Sequence, residues 1–126
     1  MPLPSLALAA LIGLAAAEPA RAAGDPAAGQ RVFNQCRACH TVDEGGRHGV
    51  GPNLHGIVDA AAGAREGFRY SPAMRTRAEQ GLRWTEDNLR LYLRNPRDLV
   101  PGGSMAFAGI RNDRQLEDLI AFLRQN

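Results

Sequence analysis

The pentapeptide Cys36-Arg37-Ala38-Cys39-His40 decides how this chain is interpreted, because it holds both of its cysteines. The pair is too small and too closely spaced for a disulfide framework, which needs more cysteines spread along the chain. A close cysteine pair is more typical of a metal site, a redox pair or a covalently attached cofactor. The histidine directly after the pair separates these alternatives.

The pattern Cys-x-x-Cys-His is that of c-type haem attachment. Two thiols add across the two vinyl groups of haem, and the adjacent imidazole of His40 then lies under the iron. A thioredoxin-like redox pair is disfavoured because no βαβ pattern surrounds Cys36 and Cys39. A zinc site that adds His48 and His55 is disfavoured by their spacing and by the lack of a second cysteine pair. The motif therefore predicts one covalently bound haem c with an iron ligated by His40.

Length and composition limit the remaining function classes. The chain has 126 residues, which is the size of one domain, and 44% of them are hydrophobic, as in ordinary globular proteins. A formal net charge of +2 is too small to indicate a nucleic-acid partner.

The N-terminal stretch has the character of an export signal. An unbroken apolar run from Leu6 to Ala17 is followed by Ala20-Arg21-Ala22, a small-x-small cleavage pattern. The alternative is an uncleaved anchor, but the run is short for a hydrocarbon core of about 30 Å. We expect residues 1–22 to be a signal peptide and residues 23–126 to be a periplasmic domain, without an integral membrane segment after cleavage.

The sequence of residues 23–126 predicts helices joined by long loops, and no segment of it has a convincing strand pattern. Helix starts are predicted at four capping residues, two of which precede proline: Asp25, Ser71, Thr85 and near Asn112. Pro96 is predicted to end or kink the third helix. The last helix has one apolar face, formed by Leu116, Leu119, Ile120 and Leu123. Loops of this length leave a thin core, which a large apolar cofactor would fill.

The second axial ligand of the iron has to come from elsewhere in the chain. The free candidates are His48, His55, Met74 and Met105. Met105 follows Pro101-Gly102-Gly103, which indicates an irregular loop that can approach the iron closely. Met74 is predicted to lie on a helix, where methionine is more often a packing residue. His40 and Met105 are therefore the predicted metal ligands, as in His/Met cytochromes.

Residues 24–126 resemble the class I cytochromes c, of the mitochondrial-like type that includes small soluble bacterial electron carriers. The matching stretches are residues 32–42 and 51–56, Trp84, Tyr92-Leu93, Asn95-Pro96 and residues 105–110. The resemblance implies the cytochrome c fold, which is mainly α, with three to five helices and long loops wrapped around one covalently bound haem. It also implies a monomeric carrier of single electrons rather than an enzyme.

The resemblance implies a set of cofactor-binding residues: Cys36, Cys39, His40, Met105, Pro52, Tyr70, Trp84, Tyr92 and Phe107. In this set the carbonyl of Pro52 accepts a hydrogen bond from His40, and Tyr70 and Trp84 bond the haem propionates. Tyr92 lies near the Met105 sulfur and Phe107 covers the haem edge.

The resemblance also implies roles outside the cofactor site. Gly29 and Phe33 are expected to pack on Leu119 and Phe122, which accounts for a glycine inside the first helix. His48 is expected to make a structural hydrogen bond, and His55 to lie at the surface.

The sequence departs from the family pattern near the propionates. Ala60 stands where the family often has an arginine that helps to bury a propionate, and Met74 stands where asparagine or a similar residue is common. Gly103-Ser104 replaces Thr-Lys, and the stretch near residues 76–80 is longer than in the mitochondrial form. These differences concern the propionates and the reduction potential rather than ligation of the iron.

Several functions and partners remain open from the sequence. A haem enzyme or gas-binding protein would need an open sixth position on the iron, and a non-haem redox or zinc protein would lack haem altogether. Possible respiratory or photosynthetic redox partners are a membrane cytochrome complex, an oxidase, a reaction centre and a periplasmic dehydrogenase. Arg37, Arg94 and Arg97 are candidates for a partner-facing charged surface.

Overall fold

The computed structural model describes residues 1–5, 7–13 and 24–126. Its helices are α1 (Pro26–Phe33), α2 (Pro72–Glu79), α3 (Glu86–Arg94), α4 (Pro96–Leu99) and α5 (Asp113–Arg124). Within the described residues there is no strand, and one isolated antiparallel bridge joins Ala61 to Arg83. The prediction of helices joined by long loops is confirmed.

The predicted leader is only partly covered by the structure. Residues 1–5 and 7–13 are exposed and form neither helix nor strand. The expected cleavage site after Ala22 lies outside the described residues, as does the end of the apolar run. Of the helices in the described part of the chain, none has the length and apolar character needed to cross a bilayer.

The four longer helices begin at the capping side chains that the sequence indicates. Asp25 accepts a hydrogen bond from the Ala27 N–H at 3.0 Å. Ser71, Thr85 and Asn112 each accept from the N–H three residues further on, at 2.9–3.1 Å. Each cap satisfies a donor that has no partner within its helix, which is worth about 1 kcal/mol. The predicted helix starts are therefore confirmed.

Pro96 ends one helix and begins another. Helix α3 ends at Arg94, Asn95 is extended, and Pro96 takes the first position of α4, where its missing N–H costs nothing. The sequence left a kink open as an alternative, and the short helix α4 itself was not predicted. This break turns the chain toward the loop that carries Met105.

The core is centred on α5, which α1 crosses and α3 also contacts. The predicted apolar face of α5 is buried throughout: Leu116, Leu119, Ile120 and Leu123. The ring of Phe33 on α1 packs against Phe122 with centroids 5.3 Å apart. Gly29 lies at the crossing, where a Cβ would overlap the backbone carbonyl of Asp118 and the Cβ of Phe122. The glycine inside α1 predicted that another backbone segment packs closely there, and the structure shows that this segment is α5.

Asp118 holds the beginning of α1 against α5. Its side chain is almost fully buried, and its Oδ1 accepts a hydrogen bond from the Asp25 N–H at 2.7 Å. The guanidinium of Arg114 lies 3.7 Å from the same oxygen. The orientation of α1, and of the cysteine motif at its end, thus depends on α5.

Replacing Gly29 by alanine is expected to destabilise the protein, although alanine favours a helix by about 1 kcal/mol over glycine. The added methyl group has no space between α1 and α5, so the helices must separate, at a cost of about 1–3 kcal/mol. The measurement is the denaturant midpoint of the holoprotein. The exposed neighbour Gln30 is the control, because Gln30→Ala should stay within about 0.5 kcal/mol. A midpoint that rises in Gly29→Ala would contradict the close crossing.

Candidate functional site

The cysteine motif follows α1 directly as a series of tight turns. The N–H of Cys36 donates to the Phe33 carbonyl at 2.8 Å, and the N–H groups of Cys39 and His40 donate to the Cys36 carbonyl at 3.1 and 2.9 Å. This winding brings the side chains of Cys36, Cys39 and His40 to the wall of one cavity. The two cysteines are free and are not joined in a disulfide, so both thiols are available to form thioethers.

This cavity, called here the motif cavity, has a volume of about 360 Å³ and lies within the size range of cofactor pockets. Besides the motif, it is bordered by side chains of α2, α3 and α5 and by residues 103–107. Most of its wall is apolar, including Phe33, Leu54, Ile57, Phe68, Leu89, Leu93, Leu119 and Leu123. Such a wall fits the macrocycle of haem.

A zinc site does not fit the same surroundings. Across the described parts of the chain, no group of three or more His, Cys, Asp or Glu side chains is placed to hold a metal ion. Burial raises the pKa of Cys36 to about 11, and the neighbouring Cys39 adds to this. A thioredoxin-type nucleophile has a lowered thiol pKa, so the environment of Cys36 is also wrong for a redox pair.

His40 is oriented by the loop that carries Pro52. Its Nδ1 lies 2.7 Å from the Pro52 carbonyl oxygen and donates to it, which leaves Nε2 as the nitrogen with a free lone pair. Burial lowers the pKa of His40, while the bond to Pro52 opposes that shift. A Cβ on Gly51 would overlap the imidazole ring, so glycine lets this loop close on His40. His40 is thus held as a neutral imidazole with one nitrogen for a metal.

Met105 lines the motif cavity beside Tyr92. The Tyr92 hydroxyl lies 3.9 Å from Sδ of Met105, and the Tyr92 and Trp84 ring centroids are 4.7 Å apart. Burial raises the pKa of Tyr92 to about 12, so the phenol remains a hydrogen-bond donor at neutral pH. Met74 reaches the same cavity from α2, so two of the four candidate sixth ligands have access to it.

The two histidines considered as iron ligands do not line the motif cavity. His48 donates from Nε2 to the Glu66 carbonyl at 2.8 Å and accepts the Asn53 N–H at Nδ1 at 2.9 Å. Both of its nitrogens are therefore occupied in joining two loops. His55 is partly buried, and its carbonyl accepts a hydrogen bond from Arg65.

The remaining predicted cofactor residues, Tyr70, Trp84 and Phe107, also line the motif cavity. Trp84 is buried, while Tyr70 and Phe107 are partly buried. The hydroxyl oxygen of Tyr70 accepts the Arg65 N–H at 2.9 Å. Burial raises the pKa of Tyr70, and the neighbouring N–H and guanidinium of Arg65 moderate the shift.

Arg65 is a residue that sequence reasoning missed. It lines the motif cavity, and its guanidinium donates to the His55 carbonyl. The available signal was an arginine in the Gly-flanked segment before Tyr70, in a chain that lacks the arginine expected at position 60.

A second depression lies beside α1 and α5, with a volume of about 550 Å³. It is more open, and its wall includes Arg31, Gln35, Gln115 and Asp118. None of the predicted cofactor residues contributes to it, and neither Cys36 nor Cys39 lies on its wall, so it is not the site of haem attachment.

Known proteins resemble this chain over the region that contains the motif cavity. A family model described as Cytochrome c matches residues 26–126. Cytochrome c2 of Rhodomicrobium vannielii is 47% identical over 104 residues, which are 82% of this chain and 81% of that protein. Cytochrome c-550 of Nitrobacter winogradskyi is 42% identical over 102 residues, or 81% of this chain and 91% of that protein. The solved structure of cytochrome cH from Methylobacterium extorquens matches with a TM-score of 0.74 and 38% identity, covering 82% of this chain and all of that one.

Proposed function

Because this chain belongs to the cytochrome c family, we propose that His40 and Met105 are the two axial ligands of its haem iron. The chain is an electron carrier with a covalently attached c-type haem and is not an enzyme. If both residues ligate the iron, no coordination site would remain for a substrate or a gas. The bound haem supplies the Fe(III)/Fe(II) couple, and the surrounding residues set how readily it is reduced.

The observation that supports this ligation is the meeting of Cys36, Cys39, His40 and Met105 on the wall of one apolar cavity. The Pro52 carbonyl keeps the His40 tautomer in which Nε2 is free. The thioether of Met105 is a soft donor that favours Fe(II), so the potential is expected to be high for a haem. The Tyr92 hydroxyl, at 3.9 Å from the sulfur, restricts the orientation of the Met105 side chain.

The other predicted site residues are proposed to hold the ring and to keep water away from it. Tyr70 and Trp84 supply an O–H and an indole N–H for the haem propionates, and both line the cavity. Phe107 would cover an edge of the bound haem, and the apolar wall would lower the dielectric around its iron. A low dielectric disfavours the more highly charged Fe(III) form, which again raises the potential.

An optical and redox titration of the purified holoprotein tests this proposal. The ferric form should be low-spin and six-coordinate at neutral pH, with the weak far-red band of sulfur bound to iron. Carbon monoxide should not bind readily to the ferrous form. A high-spin ferric spectrum together with tight carbon monoxide binding would overturn the proposal in favour of a haem enzyme or gas-binding protein.

Residues 1–22 are proposed to direct export to the periplasm and to be removed there, leaving a monomer of residues 23–126. The support is the apolar run before the small-x-small pattern at Ala20-Arg21-Ala22. A mature mass that begins at Ala23 is expected for protein from the periplasm. Protein that keeps residue 1 and sediments with membranes would contradict cleavage.

The proposed partners are respiratory or photosynthetic redox proteins: a membrane cytochrome complex, an oxidase, a reaction centre or a dehydrogenase. Three arginines remain candidates for contact with these partners, and they differ in whether their side chains are already paired within the protein. Arg94 is paired with Asp113, and Arg37 bonds Asn34 at 3.1 Å and lies over the Phe33 ring. Arg97 is exposed on α4, and no carboxylate of the described residues pairs with it.

Arg37→Gln is expected to slow reduction by an acidic redox partner at low salt by roughly twofold to fivefold, because Arg37 is exposed and stands in the sequence between the two cavity-lining cysteines. The measurement is the second-order rate by stopped flow over a range of ionic strength. Arg31→Gln makes the same charge change beside the separate groove of α1 and α5, so it is the control. Equal effects of the two substitutions, or a rate that is independent of salt, would contradict electrostatic docking at the motif.

A further inference from the structure

One charged side chain lines the motif cavity. Among the described residues of its wall, Arg65 is the only Asp, Glu, Lys or Arg. It is partly buried, and in residues 24–126 no carboxylate lies within ion-pair distance of its guanidinium. A cation beside an apolar cavity without a counter-charge is unfavourable, so this arrangement indicates that a bound anionic group supplies the charge.

The neighbours of Arg65 leave donors available for such an anion. The guanidinium uses an Nη2 hydrogen to reach the His55 carbonyl, and an arginine has five N–H donors in all. The Arg65 backbone N–H donates to the Tyr70 hydroxyl oxygen, so the hydroxyl hydrogen of Tyr70 is still free to donate. The Trp84 side chain lines the same cavity and carries a further N–H donor.

At position 60, where the family often has an arginine, this chain has no positively charged side chain. Position 60 is alanine, whose side chain has no donor. Its backbone N–H donates to the Ile57 carbonyl, and its carbonyl accepts the Trp84 N–H. An ionised carboxylate in a low-dielectric site needs an opposite charge or several donors to stay ionised. The fork of a guanidinium matches a carboxylate better than any other side chain does.

We propose that the guanidinium of Arg65 binds a propionate of the haem and takes over the role of the arginine missing at position 60. This inference rests on the haem site proposed above and names a residue that the family resemblance does not assign to it. Tyr70 and Trp84 complete the donor set, and the His55 carbonyl keeps the guanidinium at the cavity wall.

The charge of Arg65 should influence the potential in two ways. A positive charge near the ring disfavours Fe(III), so its removal lowers the potential. It also keeps the propionate ionised, so its removal raises the pKa of the propionate. Protonation of the propionate removes a negative charge and raises the potential. The potential of an Arg65 variant should therefore change with pH in a higher pH window than that of the wild type.

The test is a redox titration of holoprotein between pH 4 and pH 9 for Arg65→Gln, with Arg69→Gln as the control. Arg69 is an exposed arginine of the same loop that does not line the cavity. At a fixed applied potential, Arg65→Gln should lower the Fe(II) to Fe(III) ratio by roughly threefold to tenfold. The pH at which the potential of Arg65→Gln changes, called here the pH-dependent step, should be higher than in the wild type. Arg69→Gln should keep the wild-type step, with less than about a twofold change in the Fe(II) to Fe(III) ratio.

The pH-dependent step can be assigned to the propionate. The other titratable side chains on the cavity wall are Cys36, Cys39, His40, Tyr70 and Tyr92. The first three would be bonded to the haem in the holoprotein, and the phenols titrate well above neutral pH. His55 and His48 are the histidines nearest to Arg65 along these loops, and neither lines the cavity, so His55→Gln in the Arg65→Gln background should leave the pH-dependent step in place.

Matching curves for Arg65→Gln and Arg69→Gln would overturn the inference. A loss of thermal stability in Arg65→Gln with an unchanged pH step would also overturn it, because Arg65 would then only hold the His55 carbonyl. If Arg65→Gln does not mature, Arg65→Met is measured instead. Methionine also removes the positive charge, so the same upward move of the pH-dependent step is expected, and no move would overturn the inference. If these variants keep the far-red band, their iron is still ligated by sulfur. A failure of the Arg65 inference can then be distinguished from a failure of the proposed ligation by His40 and Met105.

Discussion

Met105→Ala is expected to abolish the far-red sulfur-to-iron band and to open the sixth position of the iron. The ferric protein should become high-spin or bind water, and carbon monoxide should bind the ferrous form. Loss of the soft thioether removes its preference for Fe(II), so the potential should fall on the order of 0.2 V, within the span of about 0.8 V that axial ligands cover. Absorption spectra and a redox titration of the holoprotein measure these effects.

Met74→Ala is the matched control, because Met74 lines the same cavity from α2. It should keep the far-red band and the low-spin spectrum while losing about 2–3 kcal/mol of stability as a partly buried side chain. Met105 differs from Met74 in its irregular loop and in its contact with the Tyr92 hydroxyl. If Met74→Ala loses the band and Met105→Ala keeps it, the assignment of the sixth ligand is reversed.

The double substitution Cys36→Ala and Cys39→Ala is expected to abolish covalent attachment. Acid-organic extraction should release essentially all haem from the variant and none from the wild type, because thioether bonds resist these conditions. Each single substitution leaves one thioether and one free vinyl group. These variants should keep haem on extraction but show an α band at longer wavelength, since the free vinyl extends the conjugation of the ring.

Ala38→Ser is the control for the cysteine substitutions, because it changes the residue between the cysteines and keeps their spacing. It should retain haem on extraction. A coloured, extraction-resistant protein from the double variant would contradict attachment through Cys36 and Cys39. Extractable haem in the wild type would contradict it as well.

Features within a few residues of one another were predictable from the sequence. The helix starts at Asp25, Ser71, Thr85 and Asn112 depend on hydrogen bonds that span two or three residues. The attachment chemistry depends on the spacing inside one pentapeptide. The apolar face of α5 repeats with the period of the helix itself. Helix α4 was not predicted, because a sequence of four residues has too little periodicity to distinguish a helix from a turn.

The close packing at Gly29 was indicated by the sequence, but its partner was not fully described. The resemblance named Leu119 and Phe122, whereas a Cβ on Gly29 would first meet the backbone carbonyl of Asp118. The packing partner depends on the angle at which α1 crosses α5. That angle is set in part by the buried bond from the Asp25 N–H to Asp118, which joins residues at the two ends of the described domain.

By itself the sequence determined the covalent haem chemistry, the helical class and the starts of the longer helices, because each is encoded in neighbouring residues. Only the tertiary structure decided which distant side chains share the motif cavity. It placed both Met74 and Met105 on the wall, excluded His48 and His55, and brought the charge of Arg65 there. The physical reason is that these side chains sit on loops and helices far apart in the chain, and their meeting depends on how the loops close around α5 and on hydrogen bonds such as that between Arg65 and the His55 carbonyl.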